Sequence, residues 1–233
     1  MSDLQIRSTT PMPNALRRPT RSVTALPIDG YARFSADHLT APDGAHIFRV
    51  PSIGPMKASV PALVQATVAA APTIGTAANG RRYFHGNGAQ LLTTPNDVLS
   101  LTSWSLAVVA SATGTLPAAF GALVSSAPNA TLGISSGRYF MNGGTVVNGP
   151  LIDANVHVLV MTVVAGAGTL YVDGIAVASG AVGPNALTEL RLFNAGTGYV
   201  VGDIYDVDLF FEPLSASNTD RVTDHFLTYH EAA

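Results

Sequence analysis

Leu170-Tyr171-Val172-Asp173-Gly174-Ile175-Ala176-Val177-Ala178-Ser179-Gly180 is the stretch that decides the fold. Two β-rich runs flank Asp173-Gly174. A two-residue type I′ turn needs positive φ at both central positions, and Asp-Gly is among the dipeptides that supply it. Residues 187–194 and 204–211 follow as further strands. Ser217 then stands three residues before Asp220, as an N-cap would, and Val222, Phe226 and Tyr229 recur at helical spacing. A hairpin, a long closing strand and a helix over about 217–229 read as the end of a β-sandwich.

Working back from the hairpin, short strands come regularly. They are expected at residues 90–93, 103–111, 119–125, 130–135, 138–141 and 156–164, with Gly, Asn and Pro turns between them. Residues 31–43, 47–53 and 81–85 supply earlier strands, and 61–71 reads equally well as strand or helix. Alternation aims Trp104, Leu106 and Val108 at a core. Residues 156–164 are apolar on both faces, which predicts a central strand covered on both sides. In the last strand, Tyr205, Val207, Leu209 and Phe211 form the expected core face. Ile204, Asp206, Asp208 and Phe210 form a mixed, half-exposed one.

Charged residues are only 12% of the 233, hydrophobic residues 47%, and cysteine is absent. Disulfides, thiolate metal sites and cysteine nucleophiles are excluded. No apolar run reaches the roughly 18 residues that cross a membrane. The first residues carry no apolar core of a secretory signal, so synthesis in the cytoplasm is expected. Residues 1–28 differ from the rest: four arginines oppose one acid, net +3, against net −6 for the remainder. A Pro- and Arg-rich segment without periodicity cannot form a core of its own. It reads as an extended arm that docks on a partner through Arg7, Arg17, Arg18 and Arg21, with Leu16, Val23 and Leu26 as apolar anchors. Residues 29–233 form the body.

Four segments carry a family resemblance: Leu39-Thr40-Ala41-Pro42-Asp43-Gly44-Ala45; Gln65 with Ala71-Pro72-Thr73 and Tyr83-Phe84-His85-Gly86-Asn87; Leu170 to Gly174; and Gly202 to Val207 leading into the final helix. Together they resemble concanavalin A-like, laminin-G-type jelly-roll domains, as found in bacteriophage virion proteins. The resemblance implies an all-β jelly-roll sandwich of two antiparallel sheets, with a short C-terminal helix behind an extended N-terminal arm. It fixes no function, because that fold hosts lectins, glycosidases and virion parts.

Candidate chemistry is sparse. Asp206-Val207-Asp208-Leu209-Phe210-Phe211-Glu212 resembles the acid signature of laminarinase-like glucanases. Retaining glycosidases need two carboxylates about 5–5.5 Å apart across a cleft. Here the last acid falls one residue late, so the aspartates read as the solvent face of a closing strand. His225 and His230 are five apart, which is wrong for a helical zinc pair. Trp104 alternates with core residues and reads as core. Catalytic residues and metal ligands are therefore assigned to none. No cofactor is expected; calcium, which related domains bind through loop carboxylates, would fall to Asp97, Asp153 and Asp173 at predicted turns. Ligand contacts are expected from Tyr139, Asn142, Asn148 and Tyr199 on Gly- and Asn-rich connections.

The expectation is a non-enzymatic structural and binding protein of a bacteriophage virion: a capsid decoration, head fibre or tail-associated part. Its arm would dock on the major capsid or another virion protein, in a homo-oligomer or not. No nucleic acid or membrane partner is expected. The alternative is a carbohydrate-binding, lectin-like module of a bacterial surface protein. A host surface glycan fits both.

Overall fold

The structure is a computed structural model that describes residues 28–112, 121–127, 129–195 and 198–231. The arm residues Arg7, Leu16, Arg17, Arg18, Arg21, Val23 and Leu26 lie outside these. In chain order the early strands are β1 (Tyr31–Ser35), β2 (Arg49–Val50), β3 (Leu63–Val64), β4 (Thr73–Thr76), β5 (Arg82–Asn87) and β6 (Leu92–Thr93). Next come β7 (Trp104–Ala112), β8 (Gly121–Ser126), β9 (Ala130–Ser135), β10 (Arg138–Gly143), β11 (Val146–Leu151) and β12 (His157–Val164). The chain closes with β13 (Ala167–Val172), β14 (Ile175–Ala181), β15 (Arg191–Leu192), β16 (Asn194–Ala195), β17 (Gly198–Tyr199), β18 (Val201–Phe210) and the helix α1 (Ala216–Glu231).

Two sheets form the sandwich. The first runs β14-β13-β12-β7-β18-β5-β4, with β1 paired to the second half of β18; the second runs β11-β10-β9-β8-β15-β6-β3-β2. The short pair β16-β17 stands apart. Neighbours in both sheets are antiparallel, so each inner face alternates apolar residues into one core. Trp104, Leu106 and Val108 point into it, as their spacing predicts. On β12, Leu159 and Met161 face this core, and Val158 and Val160 face a second cluster on the outer side of the first sheet. That strand is internal and covered on both faces, again as predicted.

Asp173 and Gly174 have φ of 49° and 83°, the paired left-handed values of a type I′ turn. Ser136-Gly137 and Ala165-Gly166 make the β9–β10 and β12–β13 hairpins in the same way. Residues 61–71 resolve into β3 and a 3₁₀ turn at Val68–Ala70. β11 is an additional strand; its Gly149-Pro150 masks a β pattern in the sequence. The predicted strand over 187–194 shrinks to β15 and one isolated bridge from Leu187 to Leu101.

Two corrections shape the functional site. A register shift between Ile204 and Asp206 in β18 acts as a β-bulge and flips the alternation there. Ile204 joins Val207 and Leu209 in the inter-sheet core, and Tyr205 turns to the outer face with Phe210. The mixed face of β18 is also not half-exposed. α1 lies across it, and Asp206 and Asp208 are only 2% and 0% exposed. Helix α1 is capped by Ser215, whose Oγ accepts the Asn218 N–H at 3.2 Å, rather than by Ser217.

Candidate functional site

The covered face of the first sheet holds an ionic layer. Arg33 on β1 sits opposite Asp208 on β18 in the antiparallel register. Its Nε and Nη2 donate to the two carboxylate oxygens of Asp208 at 2.7 and 2.8 Å, a bidentate pair. The guanidinium also lies 5.0 Å from the Phe226 ring of α1 and 5.4 Å from Tyr31. Burial pushes the Asp208 carboxyl up to about 6 against the pull of Arg33, which leaves it ionised at neutral pH. Burial would raise Asp206 too. The hydrogen bond from His230 and the charge of Arg33 outweigh it and hold that carboxyl below its ordinary value.

The last turn of α1 is fastened by the β4–β5 hairpin. A helix C-terminus leaves carbonyls without intrahelical partners. Asn79 Nδ2 donates to the His230 carbonyl at 2.8 Å, and an Arg81 guanidinium N–H donates to that of Tyr229. Arg81 stacks over the Tyr229 ring at 3.5 Å, and the Tyr229 hydroxyl donates to Asp37 at 2.8 Å. His230 Nε2 reaches Asp206 at 3.0 Å from the same turn.

Where the helix ends, a cavity of about 150 Å³ opens over the first sheet. Val109, Val156, Val158 and Leu227 supply apolar wall, and Asn79, His157, Tyr205 and His230 supply polar groups. Tyr205 reaches it only because of the bulge in β18. Its ring meets those of His230 and Tyr83 at 5.3 and 5.5 Å. Burial raises its hydroxyl to about 12, so it remains a protonated donor.

His157 sits between two carboxylates, with Nδ1 at 2.6 Å from Asp173 and Nε2 at 2.8 Å from Asp153. A ring with an acceptor at each nitrogen needs both hydrogens, so this is an imidazolium. Burial opposes that charge, but Asp173 and Asp153 outweigh it and raise the pKa above 6.5. Asp173 accepts the Val158 N–H at 2.9 Å as well, so the turn that makes the hairpin also anchors it to β12. The linkage has a sign. A raised folded-state value gives stabilisation that is complete below the unfolded value and lost as pH rises through the folded one. The destabilisation caused by His157→Gln, read from urea midpoints, should therefore be larger at pH 5.5 than at pH 8.5. An equal loss at both would show the ring to be neutral.

The predicted ligand residues do not converge here. Tyr139 and Asn142 lie within β10 and Asn148 within β11, so they belong to ladders and not to connections. Tyr139 is 2% exposed in the inter-sheet core. Asn142 is buried, and its Oδ1 accepts the Gly144 N–H at 2.7 Å, which shapes the next turn. Asn148 is exposed, and Tyr199 is half-buried on β17 opposite Asn194. Of the turn aspartates, Asp153 and Asp173 share His157. Among the described residues no group of three or more His, Asp or Glu is arranged to hold a metal ion. Nothing in the sequence marks His157, Tyr205 and His230 as a group: Tyr205 reads as core, and His230 as half of a zinc pair at the wrong spacing. The one local clue was Asp153 at four residues from His157; the other contacts depend on register, bulge and helix docking.

No protein-family model matches the chain, and no curated protein sequence does. Solved structures do resemble it. Trypanosoma rangeli sialidase in complex with sialic acid aligns at TM-score 0.59 and 13% identity, over 88% of this chain and 34% of its own. Domain 4 of AbnA, a GH43 extracellular arabinanase from Geobacillus stearothermophilus, in complex with arabinotriose, aligns at TM-score 0.57 and 15% identity. That match covers 84% of this chain and 98% of the domain. The chain thus spans about a third of the length of the sialidase and nearly all of the arabinanase domain. At these identities the likeness is one of fold, and the fold is an all-β sandwich of two antiparallel sheets.

Proposed function

We propose that this chain is a non-enzymatic, lectin-like sandwich of the concanavalin A type that binds carbohydrate in the cavity at the end of α1. The observation that carries the reading is the cavity itself. It has an apolar wall with a tyrosine ring and several polar groups, contributed by β7, β12 and β18, by the last turn of α1 and by the β4–β5 turn. Sugar sites need that combination, because a pyranose presents an apolar face and a polar edge. The arabinotriose complex of the similar arabinanase domain supports the reading by analogy of fold. The acid pair that a glycosidase would need is engaged elsewhere, since Asp206 and Asp208 are buried beneath α1 and bonded to His230 and Arg33. A glycan array probed with the full chain tests the proposal. Selective binding should fall at least about tenfold with Tyr205→Ala, the loss of one buried contact of roughly 1.4 kcal/mol, and persist with Tyr199→Ala. An array with no selective signal would sink it.

A virion role is a second reading, favoured by the basic Pro- and Arg-rich residues 1–28 against the acidic remainder. It makes those residues a docking arm and the sandwich a projecting sugar reader. Incorporation into particles by the full chain, lost in a chain starting at residue 29, is the expected result. Equal incorporation of both would remove the arm from the account.

A further inference from the structure

Asn-Gly dipeptides stand at Asn79, Asn87, Asn142 and Asn148. Each pairs a side-chain amide with a backbone nitrogen that can attack it, because glycine has no side chain to block the approach. The fold treats the four differently. Asn79 uses both ends of its amide: Nδ2 donates to the His230 carbonyl at 2.8 Å, and Oδ1 accepts the Arg81 N–H at 3.1 Å. The Gly80 N–H, which would have to attack, donates to the Ala77 carbonyl at 2.9 Å. Asn142 is buried, and its Oδ1 accepts the Gly144 N–H at 2.7 Å. The Gly143 N–H donates to the Val182 carbonyl at 2.8 Å. In both pairs these bonds must open before the two groups can meet.

Asn87 and Asn148 are exposed. Asn148 lies inside β11, opposite Phe140 in the ladder with β10. Extended backbone carries the following N–H away from the side chain, and Pro150 stiffens the strand two residues on. Asn87 is the last residue of β5, and the chain bends at Gly88 and Ala89. Gly88 has a φ of 94°, outside the strand region. Gln90 Oε1 accepts the Asn87 and Ala89 N–H groups at 2.6 and 3.2 Å and passes over Gly88 between them. Among the described residues, neither the Asn87 amide nor the Gly88 N–H has a hydrogen-bond partner. Here alone the exposed amide, the untied nitrogen and the bend coincide, among the four pairs.

We propose that Asn87 is a site of spontaneous covalent modification, converting to aspartate and isoaspartate, while the fold protects Asn79 in the cavity wall. In the first step the Gly88 nitrogen gives up its proton and bonds to Asn87 Cγ. The Cγ–Nδ2 bond breaks, and Nδ2 leaves as ammonia with that proton as its third hydrogen. The product is a five-membered cyclic imide. Water then opens the imide at either carbonyl. Attack at Cγ gives aspartate; attack at the main-chain carbonyl leaves the backbone running through the β-carbon, as isoaspartate. Both products add a negative charge. Isoaspartate also lengthens the backbone opposite Val201, which Asn87 faces in the β5–β18 ladder.

Incubation of the full chain at pH 8.5 in water enriched in heavy oxygen, followed by peptide mapping in a mass spectrometer, tests the assignment. The heavy oxygen marks each imide that water has opened. Asn87 should convert at least about tenfold faster than Asn79 and Asn142, because each hydrogen bond that must open first slows the locked pairs. In concentrated urea the four pairs should converge, since their local chemistry is the same. Asn87→Gln, which would need a less favourable six-membered ring, should remove the signal at that position. Labelling of Asn79 or Asn142 that keeps pace with Asn87 in the folded chain overturns the proposal, as does an unlabelled Asn87 or a faster Asn148. An order of rates that persists unchanged in urea overturns it too, because the sequence and not the fold would then set it.

Discussion

Replacing Arg33 with methionine is expected to destabilise the fold by about 3–5 kcal/mol, the usual cost of stranding a buried charge. Methionine preserves much of the volume between Tyr31 and Phe226, so lost packing is not the main effect. What is lost is the bidentate partner of Asp208, which is 0% exposed. Asp206 also loses the positive charge that helps keep it ionised. Two carboxylates would then share a dry layer in which only Asp206 keeps a side-chain partner of opposite character, His230. Acidification should narrow the difference, because a buried carboxyl without a counter-charge is better protonated in the folded state and its stability cost grows as pH rises. The double change Arg33→Met with Asp208→Leu should recover much of the loss, since an apolar pair leaves nothing unpaired. Urea denaturation of the three variants and the parent at pH 5 and 7 gives the comparison. A loss at pH 7 of only about 1 kcal/mol, typical of a surface pair, would mean water reaches the layer.

Phe226→Ala should cost a similar amount, about 3–5 kcal/mol, by the cavity a deleted buried aromatic leaves. Its consequence differs. Phe226 is fully buried between α1 and the sheet and covers the Arg33 guanidinium. Leu227, its neighbour in sequence, and His230, one turn on, both line the cavity. Loosening this contact should therefore cost stability and sugar binding together. Arg33→Met should cost mainly stability, because it leaves the helix face apolar. If Phe226→Ala lowers stability but leaves glycan affinity at the parent value, the helix is not a wall of the site.

The hairpins were legible because their signals are local. Asp173-Gly174 needs only two residues with positive φ, and both adopt it. Trp104, Leu106 and Val108 sorted correctly because a strand alternates strictly. Tyr205 did not. The bulge puts Ile204 and Tyr205 out of phase with Val207 and Leu209, and nothing in the run Ile204-Tyr205-Asp206 announces it. Tyr139 falls in the strand expected over 138–141 but turns into the core, and the ladders of β10 continue through Asn142, where Gly and Asn nearby suggest a connection. Ser215 and Ser217 are both competent caps, and Ser215 takes the role by accepting the Asn218 N–H.

The acid run over residues 206–212 separates the two kinds of information. By itself the sequence determined an antiparallel sandwich closed by a strand and a helix, because turn chemistry, alternation and helical periodicity are properties of neighbouring residues. It could not say whether the aspartates of that strand meet water, a sugar or another side chain. Arg33 is 175 residues from Asp208, and Asn79 is 151 from His230. Only the tertiary structure brought them together. Register set Arg33 against Asp208, and the docked helix excluded water from both and left an opening at its last turn. Burial converted an apparent solvent face into an ionic layer, and the candidate site lies where that cover ends.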